Sequence, residues 1–456
     1  MTTDSDAHRT GVLNEKVARD SPSASSLTGG AVAIHGVGDT DPKNGDTATA
    51  PPPPPPQMSF PEGGLRAWLV VLGSSMLLGC SFGWISSFGT FQSYYETHQL
   101  SDKSPSTISW IGSTQTFTQY FVGFLSGNLF DLHGVRVLVV PGMMVYIFGI
   151  MMTSLCHEYY QFLLAQGILC GLATGFVFTP GLSVVGHYFR RKRGLAMGVI
   201  TAGSSLGGII LPIALKNGFY SSTLKFAWSV RTVGFVLLTL MAIGCGLVKE
   251  RLPGRKQQMF VFEAFRVPSY TILVIAVFFS LWGMWIPYYY IITLSIERAG
   301  MDAGLAFYTL PTMNGCSLLG RIVTGYVADR YGRLNSLPII YLFNSILLFC
   351  WVRVRSTAGM FVWACFFGFV SGGVISVYPA AISLMASKPA QIGAYLGQAA
   401  AVTSFANLTG TPIAGALLKK HGVGAMTEFA GTAMIVAGIL SAISRYCWDR
   451  DLKKRV

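Results

Sequence analysis

Twelve apolar runs, each about twenty residues long or longer, follow one another from Arg66 to the C-terminal region. A run of that length crosses the roughly 30 Å hydrocarbon core of a bilayer when it forms an α-helix. Only 12% of the 456 residues are charged, which is too few to cover a water-facing surface. The sequence therefore predicts an all-α membrane protein with twelve transmembrane helices, and lipid as its main solvent.

The longest internal break between the runs divides them into two groups of six. Residues 249–266 carry five Lys and Arg residues and predict a cytosolic linker between an N-terminal half, 61–248, and a C-terminal half, 267–447. Residues 1–60 are polar and contain a run of six prolines, a composition typical of a disordered tail. Residues 448–456 form a second short tail.

The distribution of positive charge predicts the orientation. Most of the 33 Lys and Arg residues fall in the two tails and in the loops after even-numbered runs, including the basic tetrad at 190–193. Because positive loops stay on the cytosolic side, both termini are expected in the cytosol. We expect the plasma membrane, with the vacuolar membrane as the alternative.

A stretch at the end of the second run recurs after the eighth. The segment GNLFDLHGVR at 127–136 is repeated as GYVADRYGR at 325–333, so that Asp131 matches Asp329. Further matches at the same offset, about 199 residues, are Gly134 with Gly332, Pro180 with Pro379, and Pro212 with Pro412. The constant offset predicts two six-helix halves that are copies of each other, related by an axis along the membrane normal.

The repeated loop, Gly-x3-Asp-x2-Gly, resembles the signature loop of the major facilitator superfamily. The resemblance implies that superfamily's fold, with a central cavity between two halves that rock in alternating access. Charged side chains in these loops can pair and latch one side of the molecule in one state. The gating candidates are Asp131, Arg136, Asp329, Arg330 and Arg333. The alternative interpretation is ordinary interfacial charge.

Several segments resemble the monocarboxylate transporter family, in its fungal branch: PEGGLRAWLVV (61–71), SWIGS (109–113), GHYFRRKRGLAMGVITAGSSLGG (186–208) and LTGTPIAGAL (408–417). The lactate carriers of that family hold a lysine in helix one and an aspartate beside an arginine in helix eight. This chain keeps the arginine, as Arg321, but has Ser317 and Ser86 at the other two positions. A lactate-type proton relay is therefore not expected, and coupling to a proton is left open.

A polar stripe in helix eight is the first candidate for substrate binding. Asn314, Ser317 and Arg321 follow helical spacing and share one face. The planar guanidinium of Arg321 suits a carboxylate or another electron-rich group. Alternatively, Arg321 extends to the headgroups or braces the signature loop. Further candidates for substrate contact are Trp84, Ser86, Tyr288 and Tyr378. The alternative interpretation of the three aromatic residues is that they are interfacial anchors.

These features predict a secondary transporter of a small, monocarboxylate-like organic acid or a related metabolite. Two alternatives stay open: export of a bulkier secondary metabolite, and a transporter-like nutrient sensor. The seven histidines form no metal-binding box, and no Gly-Lys pair is present for an ATP-binding loop. No enzyme activity, cofactor, metal site or nucleic-acid partner is therefore predicted.

Overall fold

A computed structural model describes residues 63–189, 193–220, 223, 225–251, 261–386 and 391–449. All described residues belong to one compact unit, Met58–Val456. The predicted tail at 1–60, the first three residues of the basic tetrad and half of the linker, 252–260, lie outside the described residues.

Six helices form the N-terminal half of the described chain. They are α1 (Leu65–Thr97), α2 (Pro105–His133), α3 (Val135–Thr153), α4 (Tyr159–His187), α5 (Arg193–Phe219) and α6 (Lys225–Leu247). The first of them is interrupted at Ser87, so that Phe88–Thr97 is a separate segment. A π-helical stretch, Leu163–Leu169, lies within α4.

The C-terminal half begins with a 3-10 turn at Phe262–Arg266. Its first four long helices are α7 (Pro268–Ala299), α8 (Thr309–Tyr331), α9 (Arg333–Trp351) and α10 (Thr357–Leu384). The helical segment Ile392–Trp448 is broken at Gly422, where φ is 81° and ψ is −175°. We therefore divide it into α11, residues 392–421, and α12, residues 423–448.

The predicted twelve-helix, all-α architecture is confirmed. Within the described chain, nine helices are long and apolar enough to cross a membrane, and one of these contains both α11 and α12. The two remaining helices, α2 and α8, are less apolar because polar side chains are buried along them, among them Gln115, Gln119, Asn314 and Arg321. Polar residues inside a membrane protein usually face its interior.

The repeated loops have the same geometry in the two halves. Gly134 ends α2 and starts α3 with φ 85°, and Gly332 ends α8 and starts α9 with φ 102°. Only glycine adopts such positive φ values at no steric cost, so a single residue turns the chain between two helices. The repeated prolines also occupy equivalent places, inside α4 and α10 and inside α5 and α11.

Small residues allow the helices of each half to approach closely. A Cβ atom on Gly207 of α5 would overlap the carbonyl oxygen of Gly79 in α1, and a Cβ atom on Gly372 of α10 would overlap that of Ser317 in α8. Lipid is as apolar as the helix surfaces, so close van der Waals contact of this kind holds membrane helices together.

We predict that Gly207→Ala lowers the thermal unfolding midpoint of the detergent-purified protein. The added methyl group has no room against the α1 backbone, and overpacking of this kind costs about 1–3 kcal/mol. Gly198→Ala is the matched control, because a Cβ atom there meets nothing within 4 Å on the same helix. Equal midpoints for the two variants would show that α1 and α5 are not in close contact.

Candidate functional site

Three pairs of helices make the most extensive contacts between the two halves of the described chain. The Phe88–Thr97 segment of α1 packs against α7, α2 packs against α11, and α5 packs against α8. Each pair joins one helix of the N-terminal half to one of the C-terminal half. Side chains on these helices therefore meet at the boundary where a transport path between the halves would run.

Seven side chains from both halves form what we call the central cluster. Its members are Phe82 (α1), Tyr120 (α2), Phe178 (α4), Trp285 and Tyr288 (α7), Arg321 (α8) and Tyr378 (α10). The ring of Phe82 lies 5.8 Å from that of Trp285 across the boundary and 5.7 Å from that of Phe178 within its own half. The Tyr120 ring lies 6.5 Å from that of Phe178.

The C-terminal half contributes three of the aromatic members of the central cluster. The Trp285 and Tyr288 rings are 5.4 Å apart, and the Tyr288 hydroxyl lies 3.1 Å from Ser371 Oγ. Tyr378 lies near Tyr120 of the other half, across the boundary. The central cluster is thus mainly aromatic, and it is assembled only when both halves are folded and in contact.

Arg321 is the cation of the central cluster and is only 7% exposed. Its Nη1 donates to the Thr201 carbonyl oxygen at 2.9 Å and to Ser204 Oγ at 2.6 Å, both in α5 of the other half. Its Nε has no hydrogen-bond partner among the described residues. Ion pairs in the described chain join Lys103 to Asp102 and Arg333 to Asp329, so no carboxylate there neutralises Arg321.

Of the other two residues of the predicted stripe, Asn314 also lies at the α5–α8 boundary, and Ser317 packs against α10 of its own half. Asn314 donates to the carbonyl oxygen of Leu310 in its own helix at 3.2 Å, and its amide lies against Gly208 of α5. Ser317 is fully buried, its backbone is packed against Gly372, and its hydroxyl has no partner in the described chain. Two of the three stripe residues, Asn314 and Arg321, thus contact the other half.

The other predicted contacts divide into two groups. Tyr288 and Tyr378 belong to the central cluster. Trp84 is fully buried and packs 5.0 Å from Phe91, which itself contacts Phe219. Ser86 is buried directly before the α1 interruption at Ser87. The structure therefore places Trp84 in the aromatic core of the N-terminal half. None of its described ring contacts connects it to the central cluster around Arg321.

Four members of the central cluster were not among the predicted site residues: Phe82, Tyr120, Phe178 and Trp285. Three of them lie within strongly apolar helices, where an aromatic residue gives the same signal whether it faces lipid, core or substrate. Tyr120 had one usable signal, because it lies on the unusually polar α2. Polar composition in a membrane helix indicates a face turned towards the interior.

The predicted gating residues bind within their own halves. We call the end of the bundle that carries Gly134 and Gly332 the signature end. There, Arg136 donates to the carbonyl oxygens of Val248 and Gly246, each at 3.3 Å. Arg333 pairs with Asp329 at 2.9 Å and donates to the Ala380 carbonyl oxygen at 3.5 Å. Arg330 is exposed, and the side chain of Asp131 lies outside the described part.

The opposite end, which carries Ser104 and which we call the Ser104 end, has hydrogen bonds between the halves. Ser106 Oγ donates to the Pro412 carbonyl oxygen at 2.7 Å, and Ser113 bonds to the Thr411 hydroxyl one to two turns further in. The Tyr290 hydroxyl donates to the Thr411 carbonyl oxygen at 3.1 Å. These bonds close the boundary between α2, α7 and α11 at this end.

The sequence model of the Major Facilitator Superfamily matches residues 68–411. The chain belongs to the major facilitator superfamily. As a member of that superfamily it is a multi-pass membrane transporter and not an enzyme, as predicted from the sequence. The narrower resemblance to the monocarboxylate transporter family stays a prediction.

Fungal members of the major facilitator superfamily are similar over most of the chain. The aspyridones efflux protein apdF of Emericella nidulans is 45% identical over 383 residues, which cover 84% of this chain and 78% of that protein. The agnestins efflux protein AgnL12 of Paecilomyces divaricatus is 37% identical over 383 residues, with 83% and 87% covered.

A solved structure supports the fold independently. The human organic anion transporter MFSD10 (TETRAN) matches with a TM-score of 0.62 and 14% sequence identity, over 83% of this chain and 100% of that chain. At such low identity the likeness concerns the path of the helices. It agrees with the twelve-helix architecture of the major facilitator superfamily described above.

We predict that Arg321→Met leaves the thermal unfolding midpoint unchanged or raises it. A buried guanidinium without a counter-charge is costly, and an apolar residue of similar volume removes that cost. Arg445→Met is the control, because Arg445 is also buried but donates to Asn335 and to the Asp449 carbonyl oxygen. That variant should unfold at a lower temperature. A clear loss of stability in Arg321→Met would assign Arg321 a bracing role.

Proposed function

We propose that this transporter exports a bulky, electron-rich organic metabolite from the cytosol by alternating access. Two relatives that are 45% and 37% identical carry the names of efflux proteins for aspyridones and for agnestins. These names favour the exporter among the alternatives that the sequence left open, ahead of a small organic acid carrier.

The unpaired donors of the central cluster are the observation that carries the proposal. Arg321 Nε and Trp285 Nε1 are both buried, and neither has a hydrogen-bond partner in the described chain. Leaving a buried donor unpaired costs about 1–3 kcal/mol, so such groups are expected to find a partner in another state of the protein. A substrate that brings acceptor oxygens, as a carboxylate, an enolate or a carbonyl, satisfies both.

The aromatic members of the central cluster favour a large substrate. Their side chains come from five helices, α1, α2, α4, α7 and α10, so a molecule that touches most of them must span both halves. Aromatic side chains provide large apolar contact areas and stack on flat ring systems. A small acid would reach Arg321 and few of the rings. A bulkier metabolite would use the whole surface.

The two ends of the bundle would open in turn. We assign the signature end to the cytosol and the Ser104 end to the outside of the plasma membrane, in line with the distribution of Lys and Arg. The conformation described here has its outer end closed, which suits loading from the cytosol. In the opposite conformation, Asp131, Arg136, Asp329, Arg330 and Arg333 would latch the signature end.

We predict that Arg321→Met abolishes export while surface abundance is unchanged. The measurement compares metabolites inside and outside cells that express the wild type, the variant or neither. Arg353→Ala is the control, because it removes an exposed loop cation.

A pH-sensitive dye in proteoliposomes reports whether protons move with the substrate. The outcome that concerns Arg321 is the export measurement. Full export by Arg321→Met would remove Arg321 from the substrate site.

Two variants separate the contribution of the Trp285 indole N–H to substrate binding from that of its ring. Trp285→Phe keeps an aromatic ring but removes the donor, and we predict that it raises the KM for the exported metabolite about tenfold, as expected for one lost hydrogen bond to a charged or strongly polar acceptor. Trp285→Ala should raise the KM further. Trp228→Phe, on a lipid-facing and 56% exposed position of α6, is the control. An unchanged KM in Trp285→Phe would exclude the indole N–H as a substrate donor.

A further inference from the structure

A carboxylate at the Ser104 end receives hydrogen bonds from both halves of the transporter. Glu96 lies near the end of the Phe88–Thr97 segment of α1 and is half-buried. Its Oε1 accepts from Gln92 Nε2 at 2.6 Å, one turn earlier in the same segment. Its Oε2 accepts from Thr293 Oγ1 at 2.9 Å, in α7 of the other half. One side chain thus bridges the boundary.

The surroundings of Glu96 connect three helices at this point. Gln92, which donates to Glu96, also donates to the Pro105 carbonyl oxygen at the start of α2, at 3.1 Å. In the same segment, Gly89 lies directly against the Tyr288 carbonyl oxygen of α7, with no room for a Cβ atom. The Phe88–Thr97 segment is therefore seated on α7, and Glu96 lies at the outer edge of that contact.

Glu96 has no cation to neutralise it among the described residues, where ion pairs join Lys103 to Asp102 and Arg333 to Asp329. The ionisable groups that interact with it from α7 are Glu297 and the Tyr290 phenol. Partial burial of an uncompensated carboxylate is unfavourable, and the two hydrogen bonds offset that term. The net free energy that stabilises the closed contact between α1 and α7 is therefore small, so the contact can open again.

We propose that Glu96 is the gating carboxylate of the Ser104 end, which holds α1 on α7 when that end is closed. Hydrogen bonds to an ionised acceptor are roughly twice as strong as neutral ones. The other bonds between the halves at this end, such as those of Ser106 and Tyr290, have neutral partners. When Glu96 is ionised, the bond from Thr293 to Glu96 is therefore stronger than these neutral bonds. This inference rests on the proposed alternating access, which requires the Ser104 end to open.

The test is hydrogen–deuterium exchange of the full-length transporter in lipid nanodiscs. Thr293→Val removes the donor from the other half and keeps the bond from Gln92 to Glu96. We expect amide exchange in peptides that cover residues 92–106 and 290–298 to rise about tenfold, while the other helices and the thermal midpoint are unchanged. Thr97→Val is the matched control, because Thr97 Oγ1 bonds to the carbonyl oxygen of Ser93 in its own segment.

A second variant, Glu96→Gln, keeps one acceptor oxygen and should give an intermediate rise in the same peptides. Equal exchange in Thr293→Val, Thr97→Val and the wild type would overturn the gating role. A fall of the thermal midpoint with increased exchange throughout the bundle would do the same, because it would mark Glu96 as merely structural. The exchange measurement needs no substrate. A failure of export alone therefore counts against the proposed function, and a failure of local exchange counts against Glu96.

Discussion

The buried and incompletely paired guanidinium of Arg321 is the constraint on which the candidate site depends. The interior of a membrane protein offers little water, so each polar group must find its partners inside the fold. Arg321 finds only some of them, through Nη1 and two oxygens of α5. These bonds join α8 to α5 across the boundary and leave Nε without a partner among the described residues. The same residue thus connects the halves and supplies the unmet polarity that a substrate can satisfy.

Close backbone contacts at glycines occur within each half and also between the halves. Inside a half, glycines bring backbones together, as Gly79 does with Gly207 and Gly372 with Ser317. Such contacts involve many atoms at close range and cannot be loosened gradually. Between the halves at the Ser104 end, the glycine contact of Gly89 with Tyr288 is accompanied by single hydrogen bonds and ring contacts. A transporter with two rocking bodies requires rigid units joined by contacts that can be exchanged, and single hydrogen bonds are contacts of that kind.

The helices, and the turn that recurs in each half, could be predicted from the sequence because their signals are local. An apolar run predicts its own helix, and Gly134 and Gly332 appear as a repeated motif. The central cluster could be predicted only in part. Arg321 stood out as a charge inside an apolar run, whereas Phe82 and Phe178 did not, since aromatic residues are common throughout such runs. Glu96 lies near the end of a helix and resembles an ordinary interfacial charge, and its partner Thr293 is 197 positions away.

The π-helical stretch of α4, Leu163–Leu169, has a consequence for the central cluster. A π-bulge accommodates one residue more than a regular α-helix, so everything after it is rotated by about one residue step, roughly 100°. Phe178 lies after the stretch and owes its direction towards Phe82 to that rotation. The stretch itself is tied to the body of the half, because Gln166 accepts a hydrogen bond from Tyr95 at 2.7 Å. The direction in which the Phe178 ring points is therefore determined by the one additional residue of the π-helical stretch, which lies two to three turns earlier in the helix.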